Sequence, residues 1–320
     1  MTIQAHRISD DLQLVRLSLG AIEQATRTPG QVVWVDVEST SRDEILRALD
    51  MLQVTGMSRR LVLEQGERPG VVPLKQELLL SLPVLTKGQF VPTADVLTVL
   101  CRENVLLTIH EDPLWPEQGR NWVGAPDWLP ARSTTALVAA AMIGLSQFTM
   151  RRTAELRRAI LDIEARMERS PESVRAGDLV ALRPDLALLG AVVADQQPAL
   201  QALTGIDRPY FKLGDAQDYM HCALANVNAC ERAAAGLEER LVALRAAFQM
   251  HAQDKMNRRL NTMTVLSGIF MPITLLAGIW GMNFENMPEL KTQYGYFIVV
   301  GIIAVLCTVL YVRFKRARWL

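Results

Sequence analysis

The 320-residue sequence predicts an α+β protein built from a cytoplasmic N-terminal α/β domain, a long stalk helix and a C-terminal two-helix transmembrane hairpin. Three observations predict it. Short apolar runs alternate with turn signals over the first 130 residues, no proline interrupts the chain between Pro209 and Pro272, and two apolar stretches lie near the C-terminus. Those stretches, Met263 to Trp280 and Tyr294 to Val312, are long enough, or nearly so, to cross about 30 Å of hydrocarbon.

Taken in order, residues 1–130 read as the α/β domain. Val32 to Val37 reads as a strand, and Ser41-x-x-Glu44 as a capping box opening a helix through Leu52. Glu77 to Leu82 reads as another strand, and Val96 to Cys101, Arg102-Glu103-Asn104 and Val105 to His110 as strand, turn and strand. Pro113, Pro116, Pro126 and Pro130 mark a connection. Residues 131–208 form a helical region: one helix from about Ser133 through Arg169, a break at Ser170-Pro171, and a second stretch interrupted at Pro184 and Pro198. Residues 209–262 are the stalk, 263–280 the first membrane helix, 281–293 an outer loop, 294–312 the second membrane helix and 313–320 a basic tail. A helix over most of the proline-free span would reach roughly 80 to 90 Å, too long to bury in one domain.

The 34 basic residues balance 34 acidic ones, so bulk charge gives no argument for a nucleic-acid partner. Charge matters where it clusters. Lys255, Arg258 and Arg259 precede the first span and Arg313, Lys315, Arg316 and Arg318 follow the second, while the loop has only Lys291. The positive-inside rule therefore puts both termini in the cytoplasm of a multi-pass protein. The first 30 residues lack the pattern of a secretory signal, so the membrane helices are expected to do the targeting. Cys101, Cys222, Cys230 and Cys307 have no zinc-finger spacing and read as ordinary thiols of a reducing compartment. His6, His110, His221 and His251 are scattered; a zinc site of His221 with Cys222 or Cys230 is the weaker reading beside satisfied histidines.

The stalk has its own periodicity. Val227, Cys230, Ala234, Leu237, Leu241, Leu244, Phe248 and His251 form the seam of a helix in a bundle, and it fails at Lys255. From there a face at the same spacing reads Asn257, Leu260, Thr264, Ser267, Met271, Thr274, Gly278 and Gly281, with Val265, Ile269, Leu276 and Ile279 on other sides. A polar face on a membrane helix lines a water-filled path. It is equally what close helix packing with back-bonded Ser and Thr produces, and periodicity alone leaves both readings open.

The loop separates them. Gly281-Met282-Asn283 ends the first span and Met287-Pro288-Glu289-Leu290 follows within the same ten residues. Both elements, at this place in a C-terminal hairpin, resemble the signature of the CorA family of divalent-cation channels and transporters. The resemblance implies a funnel-shaped homopentamer in a bacterial inner membrane, each subunit contributing its first membrane helix to a central pore. It assigns Gly281, Met282 and Asn283 to the selectivity filter, with Asn257, Leu260, Thr264, Ser267, Met271, Thr274 and Gly278 lining the pore. The Asn283 amide oxygen is a neutral, hard acceptor that can bind the water shell of a metal ion, and magnesium keeps that shell. Gly281 is expected to let the backbone turn toward the axis and Met282 to brace that turn. Glu285 and Glu289 would concentrate cations by field, and Glu289 reads equally as a residue that only stabilises the turn. Leu260 and Met271 are gate candidates only by their place on the polar face, as apolar constrictions able to close by dewetting; for single apolar residues ordinary packing is the commoner reading. Trp280 and Trp319 mark the membrane interfaces.

The expected ion is Mg2+, with Co2+ or Ni2+ tolerated. Counting back without gaps from the tripeptide puts Cys222 where magnesium-gated members carry a sensing carboxylate, with Asp215 and Asp218 about a turn away. That departure leaves room for the zinc-transporting ZntB branch. The sequence lacks phosphate-binding and hydrolase motifs, so an enzyme is not expected and transport would follow the ion gradient. A membrane-anchored scaffold or sensor is the remaining class, and under it Asn283 would be dispensable.

Overall fold

The computed structural model describes residues 2–28, 30–39, 41–64, 70–86, 93–111, 128–282 and 293–317. The chain divides into two compact units, Met1–Ala243 and Leu244–Leu320. In the first, β1 (Thr2–Ile8), β2 (Leu14–Leu17), α1 (Ile22–Arg27), β3 (Val33–Glu38), α2 (Arg42–Met51) and α3 (Gly56–Leu63) are followed by β4 (Gly70–Pro73), β5 (Leu78–Thr86), β6 (Thr93–Cys101) and β7 (Val105–His110). Then come α4 (Thr134–Arg169) and α5 (Ala176–Thr204). The 64-residue helix α6 (Gln217–Trp280) begins in the first unit and continues into the second, which also holds α7 (Gly295–Arg316).

The strands form one seven-stranded sheet in the order β2-β1-β3-β7-β6-β5-β4. Only β3 and β7 pair in parallel, from Val33 opposite Val105 to Glu38 opposite His110. Covered on both faces, those central strands are apolar runs rather than alternating ones, and nearly every residue in them is buried. Val33, Val35, Val37, Leu107 and Ile109 share one core cluster with Ile45, Leu49 and Val62 of α2 and α3. Helices α4 and α5 lie against strands from β4 to β7, and Gln196 of α5 donates to the Pro83 carbonyl at 2.8 Å. Buried polar groups of the central pair satisfy one another. The Trp34 indole donates to Thr108 Oγ1 at 2.9 Å, Thr108 donates to Asp36, and His110 Nε2 lies 3.1 Å from the same carboxylate oxygen.

Several expected elements differ in detail. Ser41 occupies the N-cap position of α2 without making a side-chain cap, so the capping box is not formed; its own N–H instead donates to Ser39 Oγ at 3.0 Å. Ser133 does cap α4, accepting from the Ala136 N–H at 3.0 Å. Helix α5 is not interrupted at Pro184 or Pro198. Each proline removes a donor from the carbonyl four residues earlier. Val180 and Ala194, which own those carbonyls, are exposed like the prolines themselves, so water can take the missing donor's place.

The bundle seam of α6 is buried from Val227 through Leu244, half-buried at Phe248 and exposed at His251. Within the first unit its neighbour is α4. Asn226 donates to Ser146 Oγ at 3.1 Å, and Arg240 approaches Glu164 at 3.8 Å.

Candidate functional site

Helix α6 beyond Leu244 and helix α7 form the second unit, and both carry segments long and apolar enough to cross a bilayer. Only 6% and 0% of those apolar windows are buried, which separates them from core helices of the same composition. On α6, Val265 is 3% exposed, and Gly268, Ile269, Pro272, Ile273 and Leu276 are partly covered. Gly268 marks the contact with α7. A Cβ there would stand 2.8 Å from Phe314 Cζ and 3.2 Å from Cε2, closer than carbon atoms approach without displacement.

Asn257, Leu260, Thr264, Ser267, Met271, Thr274 and Gly278 are all exposed. At about 100° per residue their mean direction is roughly opposite that of the covered residues. The polar and small face is therefore the one turned away from α7. A groove of about 660 Å³ runs along it, lined by Ser267, Phe270, Met271, Thr274, Leu275, Gly278, Ile279 and Met282. Phe270, Leu275 and Ile279 were not expected there; Ile279 was expected on another side but is 46% exposed and widens the groove.

The hydroxyls settle one half of the packing alternative. Thr264 donates to the Leu260 carbonyl at 2.9 Å and Thr274 to the Phe270 carbonyl at 2.8 Å, so both protons are spent on their own helix. Their oxygen lone pairs stay on the exposed face, where they can only accept. That is the polarity a hydrated cation needs, because its outer surface is a shell of water hydrogens.

Gly281 is the first residue past the end of α6, in a turn. Its N–H donates to the Ala277 carbonyl at 2.9 Å, continuing the helical pattern, and it is not among the glycines with positive φ. Met282 is 46% exposed and lines the groove; the turn it is expected to brace continues outside the described residues. Asn283, Glu285, Met287, Pro288, Glu289, Leu290 and Lys291 lie outside the described residues, as do Arg318 and Trp319.

The weaker reading, a zinc site of His221 with Cys222 or Cys230, does not assemble among the described residues. Among the described residues no three His, Cys, Asp or Glu side chains gather to hold a metal. Cys230 is buried and its thiol is pushed up by that burial, while His221 and Cys222 are exposed. Cys101, buried at the end of β6, is pushed up to about 12 for the same reason. Asp215 and Asp218 are exposed at the start of α6.

The profile of the CorA-like Mg2+ transporter protein family matches residues 29–316. The cobalt/magnesium transport protein CorA of Thermotoga maritima is 31% identical over 147 residues, which are 45% of this chain and 38% of that protein. This chain thus spans well under half the length of that relative. The zinc transport protein ZntB of Pectobacterium atrosepticum is 23% identical over 303 residues, 90% of this chain and 88% of that one. In fold, the CorA magnesium transporter of Methanocaldococcus jannaschii superposes with a TM-score of 0.81 at 17% identity, covering 100% of both chains.

Proposed function

Because the chain belongs to the CorA-like Mg2+ transporter family, we propose that it passes hydrated divalent cations across the bacterial inner membrane along the exposed face of α6. The observation that carries this is the opposition of the two sides of α6. One side is apolar and covered at Gly268 and Val265; the other is exposed and grooved, and sets Ser267, Thr274 and Gly278 among apolar side chains. A single helix face encloses nothing, so the path requires several copies arranged around an axis, and the homopentamer of the family is the arrangement proposed.

Mg2+ is the proposed ion, with Co2+ and Ni2+ tolerated. Magnesium dehydrates reluctantly and is held through its waters. A ring of Asn283 amides would accept from that shell at the mouth, Glu285 and Glu289 would raise the local cation concentration, and Thr274, Ser267 and Thr264 would accept from the shell below. Leu260 and Met271 interrupt these acceptors with apolar side chains and are the constrictions where the column of water can break. Asn257 receives the ion at the cytoplasmic end. A divalent ion gains about 4.6 kcal/mol per 100 mV of inward-negative potential, so entry needs no nucleotide.

Zn2+ is the second reading. It is favoured by the near full-length likeness to a zinc transport protein and by Cys222 at the position where a sensing carboxylate is expected. The third, a membrane-anchored scaffold, needs no polar face. Uptake into proteoliposomes of Mg2+, Co2+, Ni2+ and Zn2+, with an imposed potential or pH gradient and with Asn283→Ala alongside, distinguishes them. Potential-driven Mg2+ uptake lost in the variant supports the magnesium channel. Zinc uptake that follows a proton gradient replaces it with the zinc reading, and flux of no ion that depends on Asn283 leaves the scaffold.

A further inference from the structure

Met142, Met167 and Met220 are buried in the first unit, whereas Met250, Met256, Met263 and Met271 on α6, and Met282 just past its end, are 46–72% exposed. Met256, Met263, Met271 and Met282 fall within an arc of about 100° on the side turned away from α7. Met271 is the most exposed of them at 72% and sits inside the groove, with Ser267 to one side and Thr274 and Gly278 to the other. An exposed thioether in a groove lined mostly by apolar side chains, with the Ser267 and Thr274 hydroxyls beside it, is chemically different from one packed in a core. Its sulfur is open to a peroxide, and its oxidation would add a polar oxygen to a mostly apolar lining.

We infer that Met271 is an oxidation site, and that converting its thioether to the sulfoxide holds the conduction path open. The inference rests on the transport reading above. In the reaction the sulfur lone pair attacks one oxygen of hydrogen peroxide and the O–O bond breaks. The sulfur takes that oxygen and loses two electrons, and the remaining oxygen leaves as water after proton transfer. An apolar, weakly accepting side chain becomes a polar one with a strong acceptor oxygen. At an apolar constriction that closes by losing its water, such an acceptor keeps water in place. The new S=O then continues the line of acceptors formed by Ser267 and Thr274 instead of interrupting it. The modification therefore has a direction: more flux and weaker closure.

The test uses the full chain in proteoliposomes, exposed to dilute hydrogen peroxide and then to dithiothreitol. Dithiothreitol reverses sulfenic acids and disulfides at the cysteines and leaves sulfoxides intact. Mg2+ uptake is compared before and after treatment within each of three proteins: wild type, Met271→Leu, which cannot form the sulfoxide, and Met271→Gln, which carries an acceptor from the start. Peptide mass spectrometry follows oxygen addition at Met271, with exposed Met57 (59%) and buried Met220 (0%) as internal gauges of access.

The expected result is oxygen on Met271 and Met57 but not on Met220, with a rise in wild-type flux of about two-fold or more that Met271→Leu lacks. In Met271→Gln the flux should be insensitive to peroxide. Sulfoxide at Met271 with unchanged flux overturns the inference, as does an equal rise in Met271→Leu or a Met271 that stays reduced while Met57 oxidises. Untreated liposomes that pass no cation defeat the transport reading itself, and the inference with it, before any peroxide is added.

Discussion

Helix α6 carries one hydrophobic rhythm through two environments. From Val227 to Leu244 the residues at alternating three- and four-residue steps are buried; from Asn257 to Gly278 residues at the same steps are exposed. The first stretch is apolar and small, the second mixes hydroxyls, an amide, a thioether and glycine. Spacing identifies a face, while composition says whether that face seeks its own chain or something else. In the second stretch the face directed at α7 is a different one, centred on Val265 and Gly268.

The largest effects should come from challenging that contrast directly. Leu237→Ala removes a side chain that is 3% exposed on the buried seam and should cost roughly 2–5 kcal/mol of stability, because the surrounding helices close only partly over the cavity. Leu260→Ala makes the same chemical change where the side chain is 49% exposed and should change stability by no more than about 0.5 kcal/mol. Thermal unfolding of the detergent-solubilised chain measures both. Equal losses would mean that the two stretches are covered alike and would remove the contrast.

The next pair separates the two sides of α6 in the second unit. Gly268→Leu drives a side chain into the Phe314 ring and should destabilise by roughly 1–3 kcal/mol, with partial recovery when Phe314→Ala is added. Gly278→Leu meets nothing within 4 Å, so its effect should fall on ion flux rather than on the melting temperature. A Gly268→Leu protein as stable as the wild type would show that α7 does not press on this side.

Much of this was legible in the sequence. Strands β3 and β7 are legible because both-sided burial makes them unbroken apolar runs, and the polar face of α6 is legible as a row of Asn, Thr, Ser and Gly, although its spacing alone leaves a water-filled path and close packing both open. Strands β1 and β2 were missed: Thr2–Ile8 carries Gln4, His6 and Arg7 among its apolar residues, and Leu14–Leu17 is only four residues long. The continuous α5 was missed because proline in a sequence reads as a stop, while the exposure of the residues that own the freed carbonyls is a tertiary fact. Gly281 is legible as the end of the first span because it begins the motif, and α6 does end at Trp280 with Gly281 in the turn that follows.

A smaller effect tests the hydroxyls. Thr274→Val keeps the shape of the side chain and removes its outward oxygen, deleting one acceptor worth about 1 kcal/mol to a passing water shell. Mg2+ flux should fall roughly five-fold, and Thr274→Ser, which keeps the oxygen, should recover most of it. Full flux through Thr274→Val would assign the threonine to packing alone.

The smallest perturbation changes no residue. Cys222 and Cys230 sit eight positions apart on α6, one exposed and one buried on the seam beside Thr153. Thiolate is the reactive form, and burial raises the Cys230 thiol above its ordinary value of 9.0, while a hydrogen bond to Thr153 pulls the other way. Because the folded state then holds its proton at a pH where the unfolded chain has lost it, Cys230 contributes stability that is complete below about pH 9 and declines as pH rises through the folded value. At about pH 8, iodoacetamide should therefore label Cys222 within the native protein and leave Cys230 untouched until denaturant is added. Equal labelling of the two would place the seam in water and return the first stretch of α6 to the environment of the second.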